Sequence, residues 1–495
     1  MDNLINQAAK IESNLIPFPG SKLVAPPSEV ISLNLRNQVP SERTYNGPIS
    51  GAMWEKVRSL KSSYTDSFDW SVYDELYAKF GDKQPFGGVV FGKTFRVANW
   101  HASCSKCHYS LELDTYGRGC VHNCHYCYAK MTLSKHGMWN RPHPMPLDLS
   151  ELLKIFYTVF ETDKRSKWRE VLSKRIPLRI GSMSDSFMWM DRKYKVSLEL
   201  LKILNHYDYP YVVFTRSDLI AQPEYLKAIN PRLGAVQFSI SGSNEELTRR
   251  IEPGAPTIKR RLAALKQLAD NGIWTTVRLN PIFPTYPDGY FTRHEEIVSQ
   301  FGGIENVPKF DLLDITKIDD FLDSLVEARV PSLLVGFARL SSYSLTLMKN
   351  EAKVDLRPFF RKEEFSKDKK RGDFDKVFSD SEITYYYKII QSKSVKRGIR
   401  FSTCYIGNGV GQYYEHQNLW SNKTDCCDAR GNVPAVQSSA QEIPWEVRAK
   451  FAHPKYNITK VMEEDLSTNK TNEAPGLKTQ LRVNHEPKTA FAPSP

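Results

Sequence analysis

Seven short runs of aliphatic and β-branched residues recur through the middle of the chain: Leu111–Thr115, Pro177–Ser182, Pro210–Thr215, Ala235–Ile240, Ile273–Leu279, Leu333–Ala338 and Ile399–Thr403. Each has the length of a strand. Between them the apolar positions change to helical spacing. Leu149, Leu152, Leu153 and Phe156 fall at i, i+3, i+4 and i+7, with Asp148 or Ser150 placed to cap the first turn. Val196, Leu200, Ile203 and Leu204 form a second stripe, and Ile258, Leu262, Leu265 and Ala269 a third, which Asn271-Gly272 should stop. Such stripes are packing faces. Strand and helix in alternation predict βα units and a parallel sheet. Six or seven units predict an α/β fold, a partial or complete β/α barrel, whose chemistry gathers at the C-terminal ends of its strands.

The barrel pattern occupies residues 101–405, and the flanks read differently. Residues 1–100 form an N-terminal extension without an assignable function, in which Trp54–Phe80 has helical stretches and Gly87–Phe95 reads as a short strand or hairpin. Lys349–Asp380, which includes Lys367, Lys369, Lys370 and Arg371, reads as a solvated, charged insertion. Residues 406–453 make a cysteine-containing C-terminal extension. Residues 454–495, rich in Asn, Thr, Lys and Pro, read as a disordered tail.

Composition narrows the class. A chain of 495 residues, 41% hydrophobic and 25% charged, buries a sizeable core. No run of about 18 uncharged apolar residues is present, so no membrane span is expected. The opening residues lack a basic start followed by an apolar block, so a cytoplasmic, reducing setting is expected. There the eight cysteines are metal ligands or catalytic groups rather than disulfides. A net charge of +12 favours polyanionic partners, DNA or RNA, because neutralised phosphates release counterions. A merely basic enzyme has the same composition.

The segment GRGCVHNCHYCYAK (Gly117–Lys130) follows the first predicted strand and precedes a helix. Its spacing is C-x3-C-x2-C. Thiolates are soft ligands suited to iron–sulfur clusters, and three on one loop hold three corners of a 4Fe–4S cube, leaving the fourth iron open to an exchangeable ligand. Structural zinc wants four closed ligands, which His122 or His125 within the loop can complete.

Cys120, Cys124 and Cys127, with Tyr126 before the last, resemble the signature of the radical S-adenosylmethionine (SAM) superfamily. The loop is similar to that of its spore photoproduct lyase-like ("DNA repair photolyase") branch. So, in order, are IGSMSDSFMWMD (Ile180–Asp191), VVFTRSDLI (Val212–Ile220), VQFSISGSNEELTRRIEPGAPTIKRRL (Val236–Leu262) and VRLNPIFP (Val277–Pro284). The resemblance implies a 4Fe–4S cluster on the three cysteines whose open iron chelates SAM. It also implies reductive cleavage of SAM to a 5′-deoxyadenosyl radical, and an electron donor such as flavodoxin or ferredoxin. Tyr126 is then near the adenine, Ser184 and Asp185 near the methionyl amino group, and Arg216 near the carboxylate, where the family often has lysine. A guanidinium can bind that carboxylate in bidentate fashion. Ser239 and Ser241 face the ribose region, and Asn280 ends the fifth strand. Spore photoproduct lyases place a hydrogen-donating cysteine where this chain has Ser182, whose O–H bond is too strong for that step. Direct reversal of a thymine lesion by the family's mechanism is therefore not implied.

Five cysteines remain. Cys104, Cys107, Cys404 and Cys426 are expected to converge on zinc or an auxiliary iron–sulfur cluster, since a barrel brings its first and last elements together. Cys427 is then spare, and either member of the vicinal pair is a candidate hydrogen donor. Arg249, Arg250, Lys259, Arg260 and Arg261 can contact phosphates or form a solvated face with an internal ion pair to Glu252. Three readings compete: radical chemistry on a nucleic-acid base, in repair or modification; the same chemistry on a peptide or small molecule; and a non-catalytic zinc-dependent nucleic-acid-binding protein.

Overall fold

All seven predicted strands form, and they pair side by side in chain order. The computed structural model describes residues 59–67, 96–97, 109, 111–135, 139, 144–360, 376–404, 416–422 and 425–438. The expectations for Gly87–Phe95, for Lys367, Lys369, Lys370 and Arg371, for the tail from residue 454, and for Cys104 and Cys107 lie outside those residues.

The main sheet runs β1 (Arg96–Val97), β2 (Leu111–Leu113), β3 (Leu178–Ile180), β4 (Tyr211–Thr215), β5 (Gly234–Ser239), β6 (Trp274–Ile282), β7 (Ser332–Phe337) and β8 (Arg400–Thr403). β1 lies antiparallel on the edge of β2, and β2 to β8 are all parallel. Among the described residues β2 and β8 do not pair, so this is a partial barrel. The helices start where the sequence places them. Asp148, not Ser150, caps Leu149–Phe160, accepting from the Glu151 N–H at 3.0 Å. Thr257 caps Ile258–Asp270, and Gly272, at φ +71°, ends its last turn.

Alternation along the strands separates two faces. Leu113, Ile180, Val213, Phe238, Val277 and Val335 point outward into the core shared with the helices, and all are fully buried. Val212, Ala235 and Leu334 point the other way and are covered by residues of 425–438: Cys426, Cys427, Ala429, Val433 and Val436. Ser402 Oγ donates to the Cys426 carbonyl at 2.6 Å, Thr276 Oγ1 to the Cys427 carbonyl at 3.2 Å, and Arg400 pairs with Asp428 at 2.8 Å. Tyr109, just before β2, donates its hydroxyl to Asp425. This part of the C-terminal segment thus fills the inner face at the lower part of the strands. Toward their C-terminal ends the inner face stays accessible: Phe214, Ser239, Arg278, Asn280 and Cys404 are half-buried, while their outward neighbours are buried.

Candidate active site

The cysteine loop leaves β2 through the short ribbon Tyr116–Gly117, which pairs with Met145–Pro146, and ends at the helix Tyr128–Lys135. Cys120 and Cys127 are half-buried and Cys124 is buried; all three are free thiols. The Cys120 sulfur receives backbone N–H groups from His122 and Asp185; burial still pushes its pKa up to about 12. Burial also raises Cys124, partly opposed by the charge of Arg216. Ligation must therefore release protons. The three sulfurs lie within electrostatic range of one another. Among the described residues, no trio of His, Cys, Asp or Glu converges tightly enough to hold a single ion. Ligands to separate irons of one cluster need no such convergence, so this donor set fits a three-cysteine cluster.

The loop is held by the segment that ends the helix Glu245–Ile251. His125 N–H donates to the Ile251 carbonyl at 2.9 Å, and Gly254 N–H to the His122 carbonyl at 3.0 Å. His122 Nδ1 is 2.9 Å from the Gly254 carbonyl, and its Nε2 is 3.2 Å from Asp185 Oδ2. His122 thus braces the loop through Nδ1, while its buried Nε2 lies beside Asp185 without a hydrogen-bond partner among the described residues. A Cβ on Gly254 would collide with the Val121 carbonyl oxygen. Gly254→Ala is therefore expected to push the loop aside, lowering iron and sulfide incorporation on reconstitution while circular dichroism shows the helices intact. Unchanged incorporation would show that this contact does not shape the loop.

Glu252, in the same segment, is fully buried between two guanidiniums. Its Oε1 is 2.7 Å from Arg216 Nη1, and its Oε2 is 2.5 Å from Arg261 Nη2. Tyr126 also donates its hydroxyl to Glu252, accepts from Arg216 at 2.8 Å, and lies 2.7 Å from Ser241 Oγ, which itself donates to Glu252 at 2.8 Å. Four positions singled out by sequence or resemblance, Tyr126, Arg216, Ser241 and Arg261, therefore meet on one carboxylate. Two cations share one anion, leaving a unit of positive charge available to an incoming carboxylate. Arg261 is the internal partner of Glu252, not a phosphate contact. Arg260 pairs with Asp218 at 2.6 Å and Arg249 with Glu245 at 3.4 Å, while Arg250 donates to the Ala352 and Lys353 carbonyls at 2.9 Å.

Asp185 ends the turn after β3 and accepts from Phe187 N–H, Thr215 Oγ1 and Arg216 N–H at 2.8–2.9 Å. Burial raises its carboxyl, but His122 and these donors outweigh that and hold it below the usual range. Three donors thus engage its oxygens, with the His122 ring 3.2 Å away, so in this arrangement it helps fix the Arg216 backbone in place. Ser184 Oγ donates to the Tyr116 carbonyl. Ser239 and Asn280 stand half-buried at the ends of β5 and β6, and Asn280 lies where a Cβ on Gly336 would sit. Glycine there makes room for the amide.

The later cysteines also gather. Cys404 ends β8 on the open part of the inner face, 3.8 Å from Arg278 Nη2. Cys426 and Cys427 lie one step lower, buried, with their sulfurs 3.9 Å apart. All three act electrostatically on Arg278. Sequence reading missed Arg278 and Gln237. The available signal was period two: both occupy alternate inward positions between the outward apolar residues Val236, Phe238, Val277 and Leu279.

Residues 115–298, which include the three-cysteine loop and the strands that follow it, match the family model described as the radical SAM superfamily. The chain carries a radical SAM domain, and such a domain implies a 4Fe–4S cluster and SAM. Its relatives include an uncharacterized protein of Methanocaldococcus jannaschii, 25% identical over 207 residues, 41% of this chain and 70% of that one. An uncharacterized protein of Mycobacterium tuberculosis is 24% identical over 175 residues, 34% of this chain and 49% of its own. An uncharacterized protein of Acidianus two-tailed virus is 26% identical over 176 residues, 34% and 54%. The match thus spans about half the length of the last two. Among solved structures, a spore photoproduct lyase with bound AdoMet and dinucleoside spore photoproduct has a TM-score of 0.45 at 16% identity, covering 68% of this chain and 95% of that one. The radical SAM methyltransferase TsrM of Kitasatospora setae, with cobalamin and a [4Fe-4S] cluster, has a TM-score of 0.31 at 12% identity, covering 48% and 39%.

Proposed function

We propose that this chain is a radical SAM enzyme of the spore photoproduct lyase-like branch that modifies or repairs a nucleic-acid base. Cys120, Cys124 and Cys127 hold the cluster. When bound, the cluster supplies the electron that cleaves SAM to a 5′-deoxyadenosyl radical. Arg216, carrying the surplus charge of the Glu252 network, meets the SAM carboxylate. Tyr126 borders the adenine, Ser239 and Ser241 the ribose, and Asn280, Ser184 and Asp185 complete the wall. The observation that carries this reading is the convergence of the cysteine loop with Tyr126, Arg216 and Ser241 on Glu252. The buried sides of that network exclude water and stray hydrogen donors from a reactive intermediate.

The nucleic-acid part rests on the net charge of +12 and on the ordered motifs that resemble the branch. An electron donor of the flavodoxin or ferredoxin kind and a cytoplasmic setting complete the proposal. Among the described residues no helix is long and apolar enough to cross a membrane. A second thiolate site, for zinc or an auxiliary cluster, draws on Cys404 and Cys426 with Cys104 and Cys107. The gathering of Cys404, Cys426 and Cys427 supports it. A hydrogen-donor role for Cys426 or Cys427 requires the substrate to reach below Cys404.

The test is anaerobic turnover of the reconstituted enzyme with SAM, a reductant, and single- and double-stranded DNA or RNA, followed by mass spectrometry of the nucleosides. A new nucleoside mass that requires both SAM and reductant is the expected result. Turnover of SAM with no change in any nucleoside, and no salt-dependent oligonucleotide binding, would move the substrate to a peptide or small molecule.

A further inference from the structure

Of the arginines on the inner face, Arg278 has no carboxylate beside it among the described residues. Arg179 pairs with Glu112, Arg216 with Glu252, and Arg400 with Asp428. Arg278 instead donates from Nη1 to Gln237 Oε1 at 3.0 Å, lies 3.8 Å from the Cys404 sulfur, and rests over the Phe214 ring at 4.7 Å. Its β6 position is level with Ser239 of β5, two residues before Asn280. It therefore lies just below the proposed SAM groups, on the accessible part of the inner face.

Gln237 supplies a second, independent observation. It is fully buried, and its Oε1 is taken by Arg278. Its Nε2 has no hydrogen-bond partner among the described residues. A buried amide donor without an acceptor costs free energy, and so does a guanidinium without an anion. Here the two are adjacent. Thr276 and Ser402, their polar neighbours on the inner face, are already committed to the Cys427 and Cys426 carbonyls. Beside the Cys404 sulfur, 3.8 Å from the guanidinium, no carboxylate among the described residues faces Arg278, so donors and positive charge exceed the acceptors there. The complement of that arrangement is an oxyanion, which takes a guanidinium fork and an amide N–H together.

We propose that Arg278 and the Gln237 amide form a binding site for a phosphate-type oxyanion of the substrate on the floor of the half-barrel, with the Phe214 ring and Cys404 at its edge. The proposal rests on the reading of this face as a radical SAM site and deepens it by specifying that the substrate carries an anion to this depth.

The experiment uses the reconstituted full chain with SAM present, and titrates a short single-stranded oligonucleotide, a nucleoside 5′-monophosphate, the corresponding nucleoside and a small dicarboxylate. The phosphate-bearing probes should bind at least about tenfold tighter than the nucleoside, and Arg278→Gln should remove that preference, as loss of one charge-assisted contact implies. Gln237→Glu offers a variant that does not depend on tolerating a lost arginine. Its carboxylate would pair with Arg278 internally, so it should raise the thermal midpoint and abolish the preference for phosphate. Preference for the dicarboxylate would identify a carboxylate substrate and overturn the phosphate assignment. So would phosphate preference surviving in both variants. Loss of iron or zinc in Arg278→Gln, with oligonucleotide affinity unchanged, would overturn it too, making Arg278 the counter-charge of a metal centre. SAM affinity, measured in parallel, separates the outcomes: it should persist in both variants if the radical SAM reading holds, whatever becomes of the anion site.

Discussion

Alanine at Cys120, Cys124 or Cys127 is expected to abolish reductive SAM cleavage while leaving most of the fold in place. The reason is a division of labour within the loop. Its course is set by backbone bonds from His125 to Ile251 and from Gly254 to His122, and by the Val121 N–H directed at the Met188 sulfur at 3.1 Å. None of these uses a cysteine side chain. These bonds survive the loss of any thiol, although the Cys120 sulfur also accepts the His122 and Asp185 N–H groups; each thiol is indispensable for holding a cluster, since a three-cysteine cluster has no spare protein ligand. Each single variant should lose the visible absorbance and stoichiometric iron and sulfide of the reconstituted protein, and its thermal midpoint without metal should stay near that of the parent. The product to follow is 5′-deoxyadenosine after reduction with SAM present. Its full production by the triple variant would remove the cluster assignment outright. Retained iron in all three single variants, with activity lost, would place the cluster on other ligands.

Glu252→Ala is expected to cause the largest loss of stability of any single change near the site. Two guanidiniums, Arg216 at 16% and Arg261 at 0% side-chain exposure, would lose their common counter-ion. Breaking a buried ion pair by removing one partner costs about 3–5 kcal/mol. Tyr126 and Ser241 would lose their acceptor in the same step. SAM affinity should fall as well, because Arg216 and Tyr126 would no longer be held against the loop. Chemical denaturation of the metal-free protein reads the first effect, and SAM binding to the reconstituted protein the second. Glu252→Gln tests whether shape suffices. It keeps an acceptor oxygen but leaves a net charge of two on the arginines, so it should recover only part of the loss.

The same carboxylate gives a pH dependence with a definite sign. Burial by itself raises the Glu252 pKa, but Arg216 and Arg261 outweigh it and hold the group well below the usual carboxylate range. A depressed folded-state pKa means that the stabilisation is complete above the unfolded value of about 4.3 and is lost as the pH falls below it toward the folded value. The stability difference between the parent and Glu252→Ala should therefore be constant near neutrality and shrink under acid. A gap that widened under acid would contradict the pairing.

The strands and helices were legible because their signals are local. Seven apolar runs of strand length became seven parallel strands, and the stripes beginning at Leu149, Val196 and Ile258 became helices with caps near the expected positions. The three cysteines were legible for the same reason: the eight residues Cys120–Cys127 contain the motif and its spacing. Arg216 and Ser241 could be placed at strand ends, though not what they touch.

What the sequence by itself determined is the order of βα units, the cysteine loop after the first of the parallel strands, and the residue types at the strand ends. These follow from period and spacing over a few residues, where backbone geometry alone dictates which side chains share a face. Only the tertiary structure decided that Glu252 is the hub joining Tyr126, Arg216, Ser241 and Arg261, residues separated by up to 126 positions from it. It also decided that residues 425–438 line the inner face and that Arg278 faces Gln237 there without a carboxylate. Those pairings depend on how seven strands curve and which layer each inward side chain reaches. A charge that reads as solvated in one dimension becomes a buried partner once the sheet brings a distant segment against it.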